Sequence, residues 1–243
     1  MTFQGNVHFT FPFLIRNLGR TGLRVAALIP AYNAAKGIRG VIKGLLRYFR
    51  REDIFVVDDG STDGTAHVAQ ELGVNVGRHP KNLGKGEALK TGFAGILKGN
   101  YDAVITLDGD GQHEPAFIPR FKEKALGERV DVIIGRRKAC KSMPPHRIFS
   151  NKTTSLVLSL LTRQTIPDSQ SGYRLIRCCV LKDVKLKTSK YDTESELLIQ
   201  AARKGYRIGY VPIDTLYPPG VKSSIHNLRD SWRFIKLILK NLR

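Results

Sequence analysis

Residues 108–113 (DGDGQH) carry the side chains best suited to holding a metal ion. They follow directly after the apolar run 103–107, which has the character of a buried strand. Asp108 and Asp110 lie two residues apart at this strand end and can converge on a hard divalent cation, to which the side-chain oxygen of Gln112 can add a ligand. A polar turn that only caps the strand is the alternative, and this spacing alone does not decide between the two.

A second acidic cluster occupies residues 58–65 (DDGSTDGT), again at the end of an apolar run. Asp58 and Asp59 are adjacent there, and carboxylates at a strand end before a helix suit contacts to the base and ribose of a nucleotide. The alternative is a strand-to-helix turn built from turn-forming residues, in which Ser61 or Asp63 caps the helix.

Residues 82–88 (NLGKGEA) are similar to a phosphate-binding loop but match neither common type. A Walker A loop needs glycine where His79 stands and Ser or Thr where Gly86 stands. A dinucleotide fingerprint needs glycine at the position of Leu89. The glycine pair, the start of a helix and Lys85 together still suit contact with a diphosphate.

Alternating strands and helices must position these clusters. The predicted strands cover residues 24–30, 53–58, 103–107 and 130–134, and the predicted helices cover 35–49, 65–72, 86–97 and 115–126. This alternation predicts a mostly parallel α/β sheet with right-handed crossovers, in which ligands bind beyond the carboxyl ends of the strands. Beyond it we expect a basic loop over 136–148, helices over 151–161 and 193–203, a turn and short strand within 168–177, and a strand over 206–213, all in one domain.

Composition limits the protein classes that fit the 243 residues. Hydrophobic residues make up 42% and charged residues 25%, which is ordinary for a globular protein. The 40 Lys and Arg against 21 Asp and Glu give a net charge of +19, which favours polyanions or an anionic membrane surface as partners. The three cysteines have no CxxC spacing, so neither a disulfide framework nor a zinc site is expected. No apolar stretch approaches the roughly 18–20 residues that span a bilayer.

In combination, and in this order, the motifs resemble the GT-A fold glycosyltransferases of family 2. The resemblance is strongest to the branch with dolichol-phosphate mannose synthase and the bacterial polyprenyl-phosphate sugar transferases. The matching segments are IPAYN (29–33), VVDDGSTDGT (56–65), NLGKGEAL (82–89), LDGDGQHEP (107–115), GRR (135–137), DSQSGYRL (168–175), DTESELLIQAARKGYRIGYVPI (192–213) and KSSI (222–225). The chain departs from the family at Ala34 and Ala116, where glutamate is common.

The resemblance implies a GT-A domain over residues 24–226, between an N-terminal extension (1–23) and a C-terminal helix (227–243). It implies that Mg²⁺ or Mn²⁺ is held by Asp108, Asp110 and Gln112 against the diphosphate of a GDP- or UDP-linked sugar, with Asp110 catalytic. The residues implied around the nucleotide sugar are Pro30, Tyr32, Asn33, Asp58, Asp59, Lys85 and Asp108. Those implied around an acceptor phosphate are Arg136, Arg147 and Lys222, with Arg136 also catalytic. Arg174 is a further candidate there, because the planar guanidinium group of an arginine fits phosphate oxygens.

The reaction implied is inverting transfer of the sugar to a polyprenyl phosphate. Such a phosphate is mostly ionised at neutral pH, so the protein needs arginines to position it rather than a strong base. The alternative is non-processive transfer to a saccharide hydroxyl, which requires a carboxylate base. Asp168, Asp192 and Glu194 are the candidates for that base, with Asp168 preferred.

The chain end also bears on the choice of partner. Apolar and basic side chains fall on opposite sides of the predicted helix 227–243, so it can lie on an anionic membrane or dock on the core of the protein. We expect a cytoplasmic protein at the cytoplasmic face of the membrane, held there by this helix or by a membrane-anchoring protein. Nucleic-acid binding is a distant alternative, because the strand-end carboxylates would repel a polyanion in the absence of a metal.

Overall fold

The computed structural model of the protein describes residues 22–138 and 145–214. They form one mixed α/β domain around a seven-stranded sheet in the order β3-β2-β1-β4-β6-β5-β7. The strands are β1 (Val25–Ala31), β2 (Ile54–Asp58), β3 (Asn75–Arg78), β4 (Ala103–Thr106), β5 (Val132–Arg137), β6 (Arg174–Arg177) and β7 (Ile208–Ile213). Six of these strands run in the same direction, and β6 lies antiparallel between β4 and β5.

Within residues 22–138 and 145–214, seven α-helices cover the two faces of the sheet. They are α1 (Ala35–Leu45), α2 (Thr65–Glu71), α3 (Lys85–Ile96), α4 (Ile118–Gly127), α5 (Pro145–Thr162), α6 (Cys178–Asp183) and α7 (Asp192–Arg203). Apolar side chains of α1, α2 and α4 pack on one face, and those of α3, α5, α6 and α7 pack on the other. The mostly parallel, helix-covered sheet expected from the sequence is confirmed.

Strand β1 shows why this sequence forms a central strand. All seven of its residues are buried. Val25, Ala27 and Ile29 face the cluster on the α1 side, whereas Ala26 and Leu28 face the cluster on the α3 side. The twofold alternation of a strand therefore places apolar side chains in both cores, which explains the continuous apolar run.

The structure differs from the sequence prediction at several places. β3 and α6 were not predicted, and α1 ends at Leu45 rather than continuing to residue 49. The expected loop over residues 136–148 contains the end of β5, because Arg136 and Arg137 pair with β7, and the first turn of α5. Among the described residues, no helix is both long and apolar enough to cross a membrane. Lys222, the helix 227–243 and residues 1–21 of the N-terminal extension lie outside the described residues.

Candidate active site

The carboxyl ends of β1, β2 and β4 meet at one edge of the sheet, next to the N-terminus of α3. β1 pairs in parallel with both β2 and β4, so the three strands end side by side. Asp58 is the last residue of β2, Asp108 follows β4 by two residues, and Lys85 is the first residue of α3. The sequence clusters therefore converge as the rule for parallel sheets predicts.

The loop that carries Asp108 and Asp110 is held against its neighbours by close backbone contacts. A Cβ added to Gly37 in α1 would lie 2.8 Å from the carbonyl oxygen of Gly109. A Cβ added to Gly172 would lie 2.7 Å from Oδ1 of Asp108. Both positions must stay glycine for the acidic loop to sit this deep between α1 and the segment before β6.

Lys85 joins the α3 loop to the acidic loop. Its Nζ lies 2.7 Å from Oδ1 of Asp108 and 3.1 Å from a carboxylate oxygen of Glu194 in α7. Burial opposes the charge on Lys85, but the two carboxylates outweigh it and raise the lysine pKa above its ordinary value. Burial likewise opposes ionisation of Asp108, and Lys85 with His113 outweighs it, so the pKa of Asp108 is lowered. The Lys85–Asp108 pair is therefore fully ionised at neutral pH.

Asp110 has the opposite electrostatic environment. Burial raises the pKa of its carboxyl, and the negative charge of Asp108 raises that pKa further. Its side chain accepts a hydrogen bond from the backbone N–H of Gln112, at 2.9 Å. A cation placed between two buried carboxylates stabilises their ionised forms.

The donor set fits a hard divalent cation with some of its ligands supplied from outside the protein. Among the described residues, no three His, Cys, Asp or Glu side chains converge on one point. Asp108, Asp110 and the amide of Gln112 offer oxygen atoms, which Mg²⁺ and Mn²⁺ prefer. The repulsion that raises the pKa of Asp110 is the charge imbalance that such an ion would relieve.

The acidic pair at the end of β2 is bound by the protein itself. Asp59 is 2% exposed, and its carboxylate accepts the backbone N–H groups of Leu83 (2.9 Å) and Gly84 (2.8 Å) and lies 2.7 Å from Nδ1 of His79. Asp58 is fully buried and accepts the N–H of Ser61. Its other oxygen, Oδ2, lies 3.2 Å from Nε of Arg78 without the alignment of a hydrogen bond.

Asp59 therefore holds the loop before α3 in position, and its contact with the nucleotide stays a prediction. Asp63 bridges two helix starts, because its carboxylate accepts the N–H of Ala35 in α1 and of Thr65 in α2. The alternative interpretation of this cluster, a turn with a helix cap, holds for Asp63 in that its carboxylate accepts the first N–H of α2, although the N-cap residue itself is Gly64. It does not hold for Ser61, whose hydroxyl accepts the N–H of Asn33.

The IPAYN segment lies beside this turn. Pro30 is buried within β1, opposite Val57. Asn33 adopts a left-handed conformation with φ 48°, and its side-chain oxygen accepts the N–H of Thr62. Tyr32 is 50% exposed, which leaves its ring open to a ligand at the edge of the sheet.

Asp168 has an environment that argues against its role as a general base. Its carboxylate accepts three N–H groups of Arg137, at 2.7–3.1 Å, and one of Asn151, at 3.0 Å. Burial would raise the pKa of Asp168, but the hydrogen bonds and charge of Arg137 outweigh it and lower the pKa. A carboxylate with a lowered pKa and four N–H donors is a weak proton acceptor, and it serves here to orient Arg137.

The prediction that Arg174 faces the acceptor phosphate is wrong. Its side chain is 1% exposed and donates to the backbone carbonyls of Ser169, Ser171 and Glu194, at 2.7–2.8 Å. The guanidinium group is therefore enclosed by the chain around the start of α7. Sequence reasoning missed this because a buried arginine that binds carbonyls has no periodic signature.

The other predicted acceptor residues lie toward the end of β5 and the start of α5. Arg136 is exposed, with its guanidinium 5.8 Å from the centre of the Tyr210 ring. Arg147 falls in the first turn of α5, and its side chain is outside the described part of the structure. The structure thus brings Asp108, Asp110 and Lys85 together and leaves Arg136 open to solvent.

Two partners at the site were not predicted. Glu194 appeared in the sequence only as a candidate base, yet it forms an ion pair with Lys85. His79 appeared only as a mismatch to a Walker A loop, yet it contacts Asp59. Both residues of that second pair directly follow neighbouring parallel strands, so recognising β3 from the sequence would have revealed the contact.

Comparison with known proteins identifies the family of the chain. The model of glycosyl transferase family 2 matches residues 26–185. A UDP-N-acetylglucosamine–dolichyl-phosphate N-acetylglucosaminyltransferase of Methanococcus voltae is 32% identical over 213 residues, which cover 78% of this chain and 84% of that protein. An undecaprenyl-phosphate mannosyltransferase of Micrococcus luteus is 29% identical over 203 residues, 79% of this chain and 83% of that protein.

A solved structure has the same fold. Glucosyl-3-phosphoglycerate synthase from Mycobacterium tuberculosis, in complex with Mn²⁺, uridine diphosphate and glucosyl-3-phosphoglycerate, superposes with a TM-score of 0.72. The match covers 90% of this chain and 80% of that chain, at 22% sequence identity. The GT-A fold expected from the sequence is confirmed.

Proposed function

The chain belongs to glycosyl transferase family 2 and is a glycosyltransferase, and we propose that it transfers a sugar from a nucleotide-diphosphate sugar to a polyprenyl phosphate. The choice of acceptor rests on sequence similarity to two transferases that are named for lipid-phosphate acceptors. Each of them matches more than three quarters of this chain. One of the two names includes a UDP-linked donor, and the transfer assay described below therefore compares UDP- with GDP-linked sugars.

On the donor side, the diphosphate would lie between the N-terminus of α3 and the acidic loop. The first N–H groups of α3 and the charge of Lys85 suit phosphate oxygens. Asp108, Asp110 and Gln112 would hold Mg²⁺ or Mn²⁺. When bound, the ion supplies Lewis-acid stabilisation of the charge that develops on the leaving nucleoside diphosphate. Lys85, already paired with Asp108 at 2.7 Å, keeps that carboxylate ionised and oriented.

On the acceptor side, a lipid phosphate removes the need for a general base. Its second pKa lies near 6 by analogy with phosphorylated side chains, so it is a ready nucleophile at neutral pH. Attack on the anomeric carbon from the side opposite the leaving group inverts the configuration. Arg136 is exposed toward the end of β5 and suits the acceptor phosphate, with Arg147 and Lys222 as further predicted contacts.

The saccharide-hydroxyl alternative rests on a single carboxylate. Asp168 is bound by Arg137 and Asn151, and Glu194 is bound by Lys85, so neither suits proton abstraction. Oδ1 of Asp192, at the start of α7, is buried and has no hydrogen-bond partner in the described structure. If the acceptor is a hydroxyl, Asp192 is the base that we would test.

The excess of basic residues supports attachment to an anionic membrane. A net charge of +19 would attract the protein to the anionic cytoplasmic face of a membrane. The predicted helix 227–243 or a membrane-anchoring protein would hold it there.

The test is a transfer assay with the full chain. We would incubate it with UDP- and GDP-linked sugars and a short polyprenyl phosphate, with Mn²⁺ or Mg²⁺ and with EDTA, and identify products by mass spectrometry. Asp110→Asn is the test variant, and Asp183→Asn, an exposed aspartate paired with Lys204, is the control for the same change of charge. We expect a glycosyl-phospholipid from the wild type and from Asp183→Asn, and none with EDTA or from Asp110→Asn.

Two other outcomes would change the proposed acceptor or contradict the proposed metal site. Donor hydrolysis without lipid product would exclude the lipid-phosphate acceptor and turn attention to saccharides, with Asp192→Asn as the next variant. Transfer that persists with EDTA and in Asp110→Asn would contradict the metal site.

A further inference from the structure

A buried chain of hydrogen bonds runs from the end of β2 through His79 into α3. Oδ1 of Asp59 lies 2.7 Å from Nδ1 of His79, and Nε2 of His79 lies 2.9 Å from Oγ1 of Thr91. Asp59 is 2% exposed and His79 is 4% exposed. Neither His79 nor Thr91 belongs to the residues that the proposed function assigns to donor, metal or acceptor.

The partners determine which ring nitrogen carries a proton. The ionised carboxylate of Asp59 only accepts hydrogen bonds, so Nδ1 of His79 must donate. In the neutral ring Nε2 then accepts from the Thr91 hydroxyl, and in the protonated ring Nε2 donates to the same oxygen. Because a hydroxyl can donate or accept, the chain of contacts persists in both protonation states of His79.

This chain of contacts supports the loop that delivers Lys85. The carboxylate of Asp59 also accepts the backbone N–H groups of Leu83 and Gly84. Gly84 adopts φ +105°, and a Cβ there would lie 2.6 Å from the carbonyl oxygen of Ser189. The loop is therefore clamped between Asp59 and the segment before α7.

Lys85 follows this clamp without any intervening residue. Its ammonium group reaches Asp108 and Glu194, so a displacement of Gly84 moves that ammonium relative to the acidic loop. We propose that His79 is a positioning residue for the donor-diphosphate site, which orients Asp59 and thereby fixes the Leu83–Lys85 turn. The expected effect of His79 on catalysis rests on the proposed function, whereas its expected effect on the loop does not.

Two substitutions at His79 separate the two halves of the chain of contacts. In His79→Asn the amide nitrogen stands near the position of Nδ1, which keeps a donor to Asp59 and removes the contact with Thr91. In His79→Gln the amide nitrogen stands near the position of Nε2, which keeps Thr91 and removes the donor to Asp59. Thr91→Val is the matched control for loss of the Thr91 contact alone.

The first readout is amide hydrogen exchange, which needs no ligand. We expect exchange of the Leu83 and Gly84 amides to become at least about tenfold faster in His79→Gln, and to stay near wild type in His79→Asn and Thr91→Val. Protection of amides in the central strands should be unchanged in all three. The second readout is the KM for the donor, which we expect to rise about tenfold in His79→Gln with a smaller change in kcat.

The outcomes distinguish this inference from the proposed function. Equal loop protection in His79→Gln and wild type would overturn the positioning role, and so would a global loss of protection in His79→Gln, since His79 would then serve folding alone. Loss of loop protection in His79→Gln with an unchanged donor KM would overturn its link to the donor site. A wild type that binds no nucleotide diphosphate would count against the proposed function, while the exchange data would still decide whether His79 orients the loop.

Discussion

Asp59 and Asp110 follow strands on either side of β1, and their surroundings differ in one decisive respect. Asp59 accepts two backbone N–H groups and contacts His79, so the protein supplies its hydrogen-bond donors. Asp110 accepts one backbone N–H and lies near the negative charge of Asp108, which helps to raise its pKa. A buried carboxylate with its own donors supports structure, whereas one beside a second carboxylate is prepared for a cation.

Lys85 connects these two environments. The turn that Asp59 holds ends at Lys85, and the ammonium group of that lysine reaches Asp108 at 2.7 Å. Asp59, at the end of β2, thus contributes to the site indirectly. It helps to place the ammonium group of Lys85, which neutralises the carboxylate of Asp108 after β4. Substitutions should separate the two contributions.

Asp110→Asn is expected to have the largest effect. Loss of a metal ligand should lower kcat/KM for sugar transfer by about 1000-fold, equivalent to about 4 kcal/mol of transition-state stabilisation. In the absence of metal, the free energy of unfolding should stay equal or rise, because the amide removes a like charge from beside Asp108. Steady-state kinetics and urea unfolding in EDTA measure the two effects, and a large loss of stability would contradict the contrast with Asp59.

Asp168→Asn extends the contrast to a third buried carboxylate. It removes the negative charge that faces Arg137, which should lower the free energy of unfolding at pH 7 by about 3 kcal/mol. The pKa of Asp168 is lowered in the folded state, so its contribution is present above the unfolded pKa of about 3.9 and is lost as the pH falls through the folded pKa.

Urea unfolding of wild type and Asp168→Asn between pH 3 and pH 7 measures this pH dependence. The difference in unfolding free energy should be constant from about pH 5 upward and should shrink below about pH 4. A difference that grows toward low pH would mean that Asp168 is protonated in the folded protein at neutral pH, which would restore it as a candidate acid or base.

Asp59→Asn should have a much smaller effect on the chemistry than Asp110→Asn and a clear effect on stability. An amide can replace only one of the two carboxylate oxygens as an acceptor, so one backbone N–H of the Leu83–Gly84 turn loses its partner. The expected cost is about 2 kcal/mol in the free energy of unfolding. Metal affinity should change little. A variant as stable as wild type but as inactive as Asp110→Asn would assign Asp59 to the chemistry instead.

The sequence predicted the parts of the fold that depend on continuous apolar runs. β1, β2 and β4 were found within one residue at each end because their residues face two cores. β3 was missed because only Gly77 of its four residues is buried, which leaves no apolar pattern. The reversed direction of β6 follows from its pairing with β4 and β5, which no local pattern encodes.

The candidate site likewise contains residues that the sequence predicted and residues whose surroundings it did not predict. Asp108, Asp110 and Lys85 were predicted because strand ends in a parallel sheet meet at one edge. Contacts between segments that are distant in sequence enclose Arg174 and pair Asp168 with Arg137. No local sequence pattern encodes such contacts. Arg174 was suggested as a phosphate ligand by its residue type and Asp168 as a base by the family resemblance. In the structure the chain encloses Arg174, and Arg137 binds Asp168.

The most direct test of the account is Mn²⁺ binding, measured by titration calorimetry in the presence of UDP or GDP. We would compare wild type with Asp108→Asn and Asp110→Asn, and with Asp63→Asn as a control for the same change of charge, since the Asp63 carboxylate accepts N–H groups at the starts of α1 and α2. We expect the wild type and Asp63→Asn to bind Mn²⁺ with similar affinity and both acidic-loop variants to lose at least about tenfold in affinity. Equal Mn²⁺ affinity in all four proteins would contradict a metal site at Asp108 and Asp110.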